Sequence, residues 1–171
     1  INTAFVFWFI WLLMKKMEIA VVVAILFGIH TMQVESVAYV AGRRDLVFTL
    51  FFFPSLIMYL YYLKKKENKF YLFALLLFIF SLFSKGQAAS LSVTLIAIDF
   101  LSGRKLLNKK LIFEKIPFLL LSAIFLFINY SSQLTSKKYG IQKEFLESVP
   151  FSERTLYASY GLIQYLIKLL I

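Results

Sequence analysis

The residues best suited to chemistry lie close together in one polar stretch, residues 28–46. This stretch contains, in an otherwise charge-poor chain, His30, Glu35, Arg43, Arg44 and Asp45. An arginine guanidinium presents a planar fork of N–H donors that matches phosphate oxygens, and a neighbouring carboxylate can orient that fork. The combination therefore suits an anionic ligand such as a phosphate-containing head group.

We predict a short helix over residues 34–41, and its geometry determines which arginine can share a site with Glu35. Its apolar stripe at helical spacing would consist of Val34, Val37, Ala38 and Ala41. If the helix continues, Arg43 lies about 80° around the axis from Glu35 and Arg44 about 180° away, so Arg43 is the better partner. In the simpler alternative, both arginines bind lipid phosphates and the aspartate after them caps the next helix.

Lys85 is a second candidate, because it stands between two short apolar runs. A lysine in such a position either contacts a phosphate group or anchors the chain at a membrane surface, and the sequence leaves both open. His30 is the single histidine of the chain. Since no His/Glu cluster surrounds it, we expect no metal site.

The other acidic residues lie near basic ones. We expect Asp99 to pair with Arg104 or Lys105 at a helix end, in preference to acting as a proton relay. Glu67 and Glu114 lie among lysines, and we expect both to be solvated.

The composition identifies the elements that must position these residues. The 171 residues are 61% hydrophobic and 16% charged, with no cysteine. Ordinary soluble domains are about 45–50% apolar and about 25% charged, so a soluble enzyme, a secreted disulfide scaffold and a disordered chain are all excluded. We predict an all-α, polytopic membrane protein.

Seven apolar runs are long enough to be considered as spans. They cover residues 4–14, 19–29, 46–63, 70–83, 88–101, 116–128 and 155–171. The third run contains Pro54, which membrane helices tolerate, and we expect a kink there. The chain begins and ends beside apolar runs, and we interpret it as a fragment of a longer membrane domain.

The basic residues indicate an orientation. Cations accumulate in cytoplasmic loops. Placing Lys15 inside and alternating from there gives the inside loops the larger share: Lys15, Lys16, Lys64, Lys65, Lys66, Lys69, Arg104, Lys105, Lys109, Lys110 and Lys115. The formal net charge of +10 is thus mostly a topology signal. Because the cations cluster at helix ends and form no continuous face, we expect no nucleic-acid partner.

The stretch 30–46 resembles a motif of membrane glycosyltransferases of the C-type (GT-C) fold that carry tetratricopeptide repeats. Their relatives are the transmembrane-and-tetratricopeptide O-mannosyltransferases and the protein O-mannosyltransferases. The matching residues are His30, Val34, Glu35, Ser36, Val37, Ala38, Val40, Ala41, Gly42, Arg43, Asp45 and Leu46. The chain departs from the motif at Thr31 and Gln33, where the family has Pro and often His. Ser84-Lys85 and the run to Asp99 resemble a later family segment.

The resemblance implies transfer of a sugar, such as mannose, from a polyprenyl-phosphate carrier to an acceptor hydroxyl on protein or glycan. No other cofactor is implied, and the active face would be extracytoplasmic, with the protein in the inner or plasma membrane if it is bacterial. The catalytic acid would lie upstream of Ile1, and the repeats downstream of Ile171. Arg43, Lys85 and Arg44 would bind the carrier phosphate. Glu35, Asp45 and His30 would shape the site, with Asp45 holding Arg43.

A non-enzymatic membrane protein, either a transporter or an assembly scaffold, is the competing hypothesis. A transporter needs ionisable groups near the middle of the membrane, and in the sequence only Asp99 comes near such a position.

Overall fold

The computed structural model describes residues 1–30, 42–104, 109–139 and 150–170. These residues are helical apart from short connections, and the described ranges contain no strand, so the all-α prediction is confirmed. The helices are α1 (Asn2–Met14), α2 (Met17–Ile29), α3 (Arg43–Lys65), α4 (Asn68–Ser84), α5 (Ser90–Leu101), α6 (Lys109–Tyr139) and α7 (Phe151–Leu170), with a 3₁₀ turn at Gly86–Ala89 before α5.

Most helices extend beyond the predicted apolar runs. The largest difference is in the sixth run, predicted at residues 116–128, because α6 covers Lys109–Tyr139. Lysine and glutamate are good helix formers, so polar residues that flank an apolar run add turns to its helix. The fifth run starts differently, since its first two residues belong to the 3₁₀ turn Gly86–Ala89.

Two helical segments of the described chain are long and apolar enough to cross a bilayer. These are Arg43–Lys65, of 23 residues, and Leu111–Leu134, of 24 residues. The described chain also contains shorter apolar helical segments, at Asn2–Met14, Met17–Ile29, Asn68–Ser84 and Gly86–Leu101.

The chain divides into two compact units, Ile1–Leu126 and Phe127–Ile171. The core of the first unit contains the fully buried aromatic residues Tyr59, Phe78 and Phe118. The ring of Phe118 lies 5.4 Å from that of Phe78 and 6.4 Å from that of Tyr59. Phe118 thereby joins α6 to α3 and α4. In the second unit, residues 153–160 of α7 are exposed.

Buried serines reinforce the packing between helices of the first unit. The Ser55 hydroxyl donates to the Ala74 carbonyl at 2.7 Å and so links α3 to α4. The Ser92 hydroxyl donates to the Phe118 carbonyl at 3.0 Å and so links α5 to α6. Such hydroxyl groups satisfy their hydrogen-bonding needs without opening the apolar interface.

Helices of the first unit that follow each other in the chain run in opposite directions, so their ends form two groups. In the first group, the Asn2 side chain of α1 donates to the Leu46 carbonyl of α3 at 3.0 Å. A Cβ placed on Gly28 of α2 would lie only 3.3 Å from the Thr3 side chain, so a larger residue there would require Thr3 to shift. We call this group the Lys85 end, because Lys85 directly follows α4 there.

The second group contains the last turns of α1, α3 and α5 and the first turns of α4 and α6. Lys64 of α3 donates to the Leu12 carbonyl of α1 at 3.3 Å. Tyr71 of α4 donates to the Glu114 carbonyl of α6 at 2.9 Å. We call this group the Arg104 end, after the arginine that follows α5.

Candidate functional site

An ion pair at the Lys85 end joins two of the predicted site residues. The Lys85 ammonium contacts Oδ1 of Asp45. Asp45 lies in the first turn of α3, and Lys85 adopts an extended conformation just after α4. Their side chains are 38% and 34% exposed, so the pair lies at the surface and is accessible to a ligand.

Hydrogen bonds to the backbone hold the first turn of α3 in place around this pair. The Ser84 hydroxyl donates to the Arg44 carbonyl at 3.1 Å. The Thr49 hydroxyl donates to the Asp45 carbonyl at 2.9 Å. The position of the Lys85–Asp45 pair is therefore fixed by both α3 and α4.

Arg43 and Arg44 are exposed at the beginning of α3. Asp45 was expected to contact Arg43, but in the structure it pairs with Lys85 instead. Residues two apart on a helix lie about 200° apart around its axis, so Arg43 and Asp45 point to nearly opposite sides. In the described part of the chain, no carboxylate forms an ion pair with either arginine.

The other predicted site residues are only partly covered. Glu35 and the predicted helix over residues 34–41 lie outside the described residues. His30 follows the last turn of α2, where its N–H donates to the Leu26 carbonyl at 3.1 Å. The end of α2 also belongs to the Lys85 end, so His30, Asp45 and Lys85 share one end of the helices.

A second polar cluster is buried at the Arg104 end, and the sequence predicted only one of its pairs. Asp99 is fully buried in the last turn of α5. Its carboxylate accepts hydrogen bonds from Arg104 at 3.0 Å and from the Tyr59 hydroxyl at 2.9 Å. The Lys115 ammonium lies 2.6 Å from its second oxygen and also donates to the Leu95 carbonyl at 3.2 Å. The predicted pairing of Asp99 with Arg104 is confirmed.

Glu114 completes the cluster, and the expectation that it is solvated was wrong. Its carboxylate accepts hydrogen bonds from Arg104 at 3.0 Å and from the Tyr62 hydroxyl at 2.7 Å. Only 11% of its side chain is exposed. We call the group Asp99, Arg104, Glu114 and Lys115 the ionic cluster.

Glu114 was expected to be solvated because the sequence analysis placed the beginning of α6 too late in the chain. A helix that begins at Lys109 places several residues on its buried face at helical spacing, namely Leu111, Lys115, Phe118 and Ser122. The predicted run began at residue 116, which left Lys115 in a loop. The spacing of these four residues is the signal that would have revealed the buried lysine.

Charges in the ionic cluster balance, with two cations and two anions. Burial lowers the pKa of Arg104, but its hydrogen bonds to Glu114 and Asp99 outweigh this effect, and the net shift of the pKa is upward. Arg104 therefore remains protonated and bridges both carboxylates. In the described chain, every buried side-chain nitrogen or oxygen has a hydrogen-bond partner.

The two ends offer different chemistry. At the Lys85 end, exposed cations outnumber the one described carboxylate, which suits the binding of an anion. At the Arg104 end, the charges of the buried ionic cluster pair with each other, which suits holding helices together. Among the described residues, no group of three His, Cys, Asp or Glu side chains is placed to hold a metal ion.

Comparison of the chain with protein-family models, with curated proteins and with solved structures finds no match. The residues and their geometry therefore carry the functional inference.

Proposed function

We propose that this chain is part of the membrane domain of an integral membrane glycosyltransferase of the GT-C class. It moves a sugar from a polyprenyl-phosphate carrier to an acceptor hydroxyl on the extracytoplasmic side. The observation that carries this proposal is the Lys85–Asp45 ion pair, with two exposed arginines, Arg43 and Arg44, in the same first turn of α3.

The charge at the Lys85 end supports binding of a carrier phosphate. Three cations, Arg43, Arg44 and Lys85, accompany one described carboxylate. The Lys85 ammonium has three donors, so it can retain Asp45 and still donate to a phosphate oxygen. Asp45 holds Lys85 in position, whereas the arginines are free to turn towards a ligand.

The arrangement of helix ends supports the alternation proposed for α1 to α6. The segments placed inside by the basic residues, after α1, α3 and α5, adjoin the Arg104 end. The Lys85 end would then face the extracytoplasmic side, where lipid-linked sugars are used in GT-C enzymes. Short spans can be accommodated by local thinning of the bilayer and by flanking lysines that reach the interface.

Replacing Arg43 with Ala in the full-length protein tests this function. Transfer from a radiolabelled polyprenyl-phosphate sugar should fall by about 100-fold, since loss of one donor to a phosphate or oxyanion typically costs 10²–10³ in rate. Arg43 is exposed, so the variant should fold normally. Lys16→Ala removes an exposed cation from the opposite end and should leave transfer unchanged. Unchanged turnover in the Arg43 variant would exclude this phosphate site.

A membrane transporter is the second candidate, and one observation favours it. The sequence suggested only Asp99 as an ionisable group near the membrane interior, but the structure adds Lys115, with Glu114 and Arg104 beside them. Against transport, the cluster is balanced and lies at helix ends. Solute uptake by the purified full-length protein in vesicles, without any sugar transfer, would favour this candidate.

A further inference from the structure

An open groove lies between α3, α4 and α6 at the Arg104 end. Its volume is about 630 Å³, within the range of ligand sites in proteins. Its walls are formed by Tyr62, Tyr71, Leu72 and Phe113. Leu72 and Phe113 are 64% and 70% exposed, so the groove presents a large apolar surface outward.

Polar atoms along the wall are already used within the protein. The Tyr62 hydroxyl donates to the Glu114 carboxylate, and the Tyr71 hydroxyl donates to the Glu114 carbonyl. The other carboxylate oxygen of Glu114 is bound by Arg104. The wall therefore offers aromatic faces and aliphatic carbon, which match a hydrocarbon chain better than a sugar or a nucleotide.

The rim of the groove is basic. Asn68 and Lys69, at the beginning of α4, line the rim of the groove. The Lys69 side chain is 62% exposed and pairs with the carboxylate of Glu67 at 2.5 Å. The segment 64–69 contains four lysines and one glutamate, so it retains a net positive charge. An ammonium group above an apolar groove is complementary to an amphiphile with an anionic head group.

We propose that this groove binds one anionic phospholipid, with an acyl chain along Tyr71, Leu72 and Phe113 and the phosphate at Lys69. This site rests on the proposed function, because the groove meets phospholipid only in a membrane-embedded chain. Basic pockets between membrane helices on the cytoplasmic side are suited to anionic lipids, which are concentrated in that leaflet. The groove lies at the opposite end of the helices from the proposed donor site at Lys85.

Native mass spectrometry of the full-length protein in detergent tests the site. Phosphatidylglycerol and phosphatidylcholine with identical acyl chains are added at equal concentration, and retained lipid is counted. We expect phosphatidylglycerol to be retained about five-fold better, and Lys69→Gln to remove this preference, since one lysine near an anionic surface contributes about that factor. Leu72→Trp fills the groove and should reduce retention of both lipids.

Two matched variants serve as controls. Lys16→Gln removes an exposed cation between α1 and α2, and Ile124→Trp enlarges an exposed apolar residue of α6 that does not line the groove. Both should retain the preference. Equal retention of the two lipids by the wild-type protein, or equal loss in Lys16→Gln and Lys69→Gln, would overturn the proposal.

Failure of this site is distinguishable from failure of the proposed function. Extraction of the protein from membranes by alkaline carbonate would contradict the membrane domain itself. Sugar transfer that persists in a protein without lipid preference would overturn the groove alone.

Discussion

At the scale of single residues, the unusual feature is the ionic cluster at the Arg104 end. Removing a charge from water is costly, and a buried charge is retained only where partners compensate it. Each member of the cluster meets an oppositely charged residue from another segment. Asp99 of α5 meets Lys115 of α6, and Arg104, between these helices, meets both Asp99 and Glu114. The cluster therefore couples the positions of α5 and α6.

Replacing Lys115 with Met should lower the free energy of unfolding by about 3–5 kcal/mol, because it leaves part of the charge of buried Asp99 uncompensated. The double variant Asp99→Asn/Lys115→Met should lose less than the two single variants combined, since neither charge is then left alone. Unfolding in detergent followed by circular dichroism measures these differences. Lys16→Met, an exposed control, should stay near wild type, and a similar result for Lys115→Met would contradict the structural role.

Some of the ion pairs in the structure could be predicted from the sequence, and others could not. The pairing of Asp99 with Arg104 was predictable, because the two residues are close in sequence and lie at a helix end. The partners from α6 were not, since their contact with Asp99 depends on where α6 begins and which face it buries. The Lys85–Asp45 pair was missed for a related reason, as it depends on how α3 packs against α4.

At the scale of elements, α1 and α3 end in the same way. Lys15 and Lys66 follow these helices with φ of 56° and 58°, which is the left-handed conformation. The N–H of each residue bonds to the carbonyl four residues earlier, at 2.9 Å for Lys15 and 2.8 Å for Lys66. Glycine is the usual residue at such helix ends, because a side chain there is strained.

Lys66→Gly should therefore stabilise the protein, by about 0.5–1 kcal/mol, as it relieves that strain at the end of α3. Lys65→Gly, one residue earlier and inside the helix, should destabilise it by a similar amount. Thermal unfolding of both variants in the same detergent compares them directly. If the two variants shift the midpoint in the same direction, the left-handed end of α3 is not a property of the folded protein.

Helix existence was predictable for a simple physical reason. In a bilayer, an uninterrupted apolar run has few stable alternatives to a helix, since a helix satisfies its own backbone hydrogen bonds. The residues at which the helices begin and end were harder to predict from the sequence. The turns of α6 before residue 116 contain Glu114 and Lys115. Charged residues beside an apolar run are typical of a loop, so the sequence placed both outside the helix. In the structure, their ion pairs with Arg104 and Asp99 keep them in the buried interface.

At the scale of the whole molecule, both ends of the first unit carry exposed cations, but only the Arg104 end also contains a buried ionic cluster. The cations of the Lys85 end exceed its described carboxylates, whereas the ionic cluster at the Arg104 end is neutral. Exposed cations at the Lys85 end can bind an anionic ligand, and the balanced, buried ionic cluster can hold the helices that frame it. The proposed function depends on these two ends facing opposite sides of a membrane.

Cysteine labelling tests this arrangement, and the 171 residues contain no cysteine that would interfere. In the full-length protein, with any other cysteines replaced, Gln87→Cys places a thiol on an exposed residue beside Lys85, and Lys65→Cys places one at the end of α3. A membrane-impermeant maleimide added to intact cells should label Gln87→Cys and leave Lys65→Cys unlabelled until the membrane is permeabilised.

A Lys16→Cys variant tests whether successive loops alternate between the two sides of the membrane. Lys16 lies in the first proposed inside loop, and Lys65 lies in the second. Two helices, α2 and α3, separate these loops, so both thiols must be protected together if each helix spans the membrane. Protection of one but not the other would mean that α2 or α3 does not cross. The Lys85 end would then lose its assignment to the extracytoplasmic side, and with it access to a lipid-linked donor on that face.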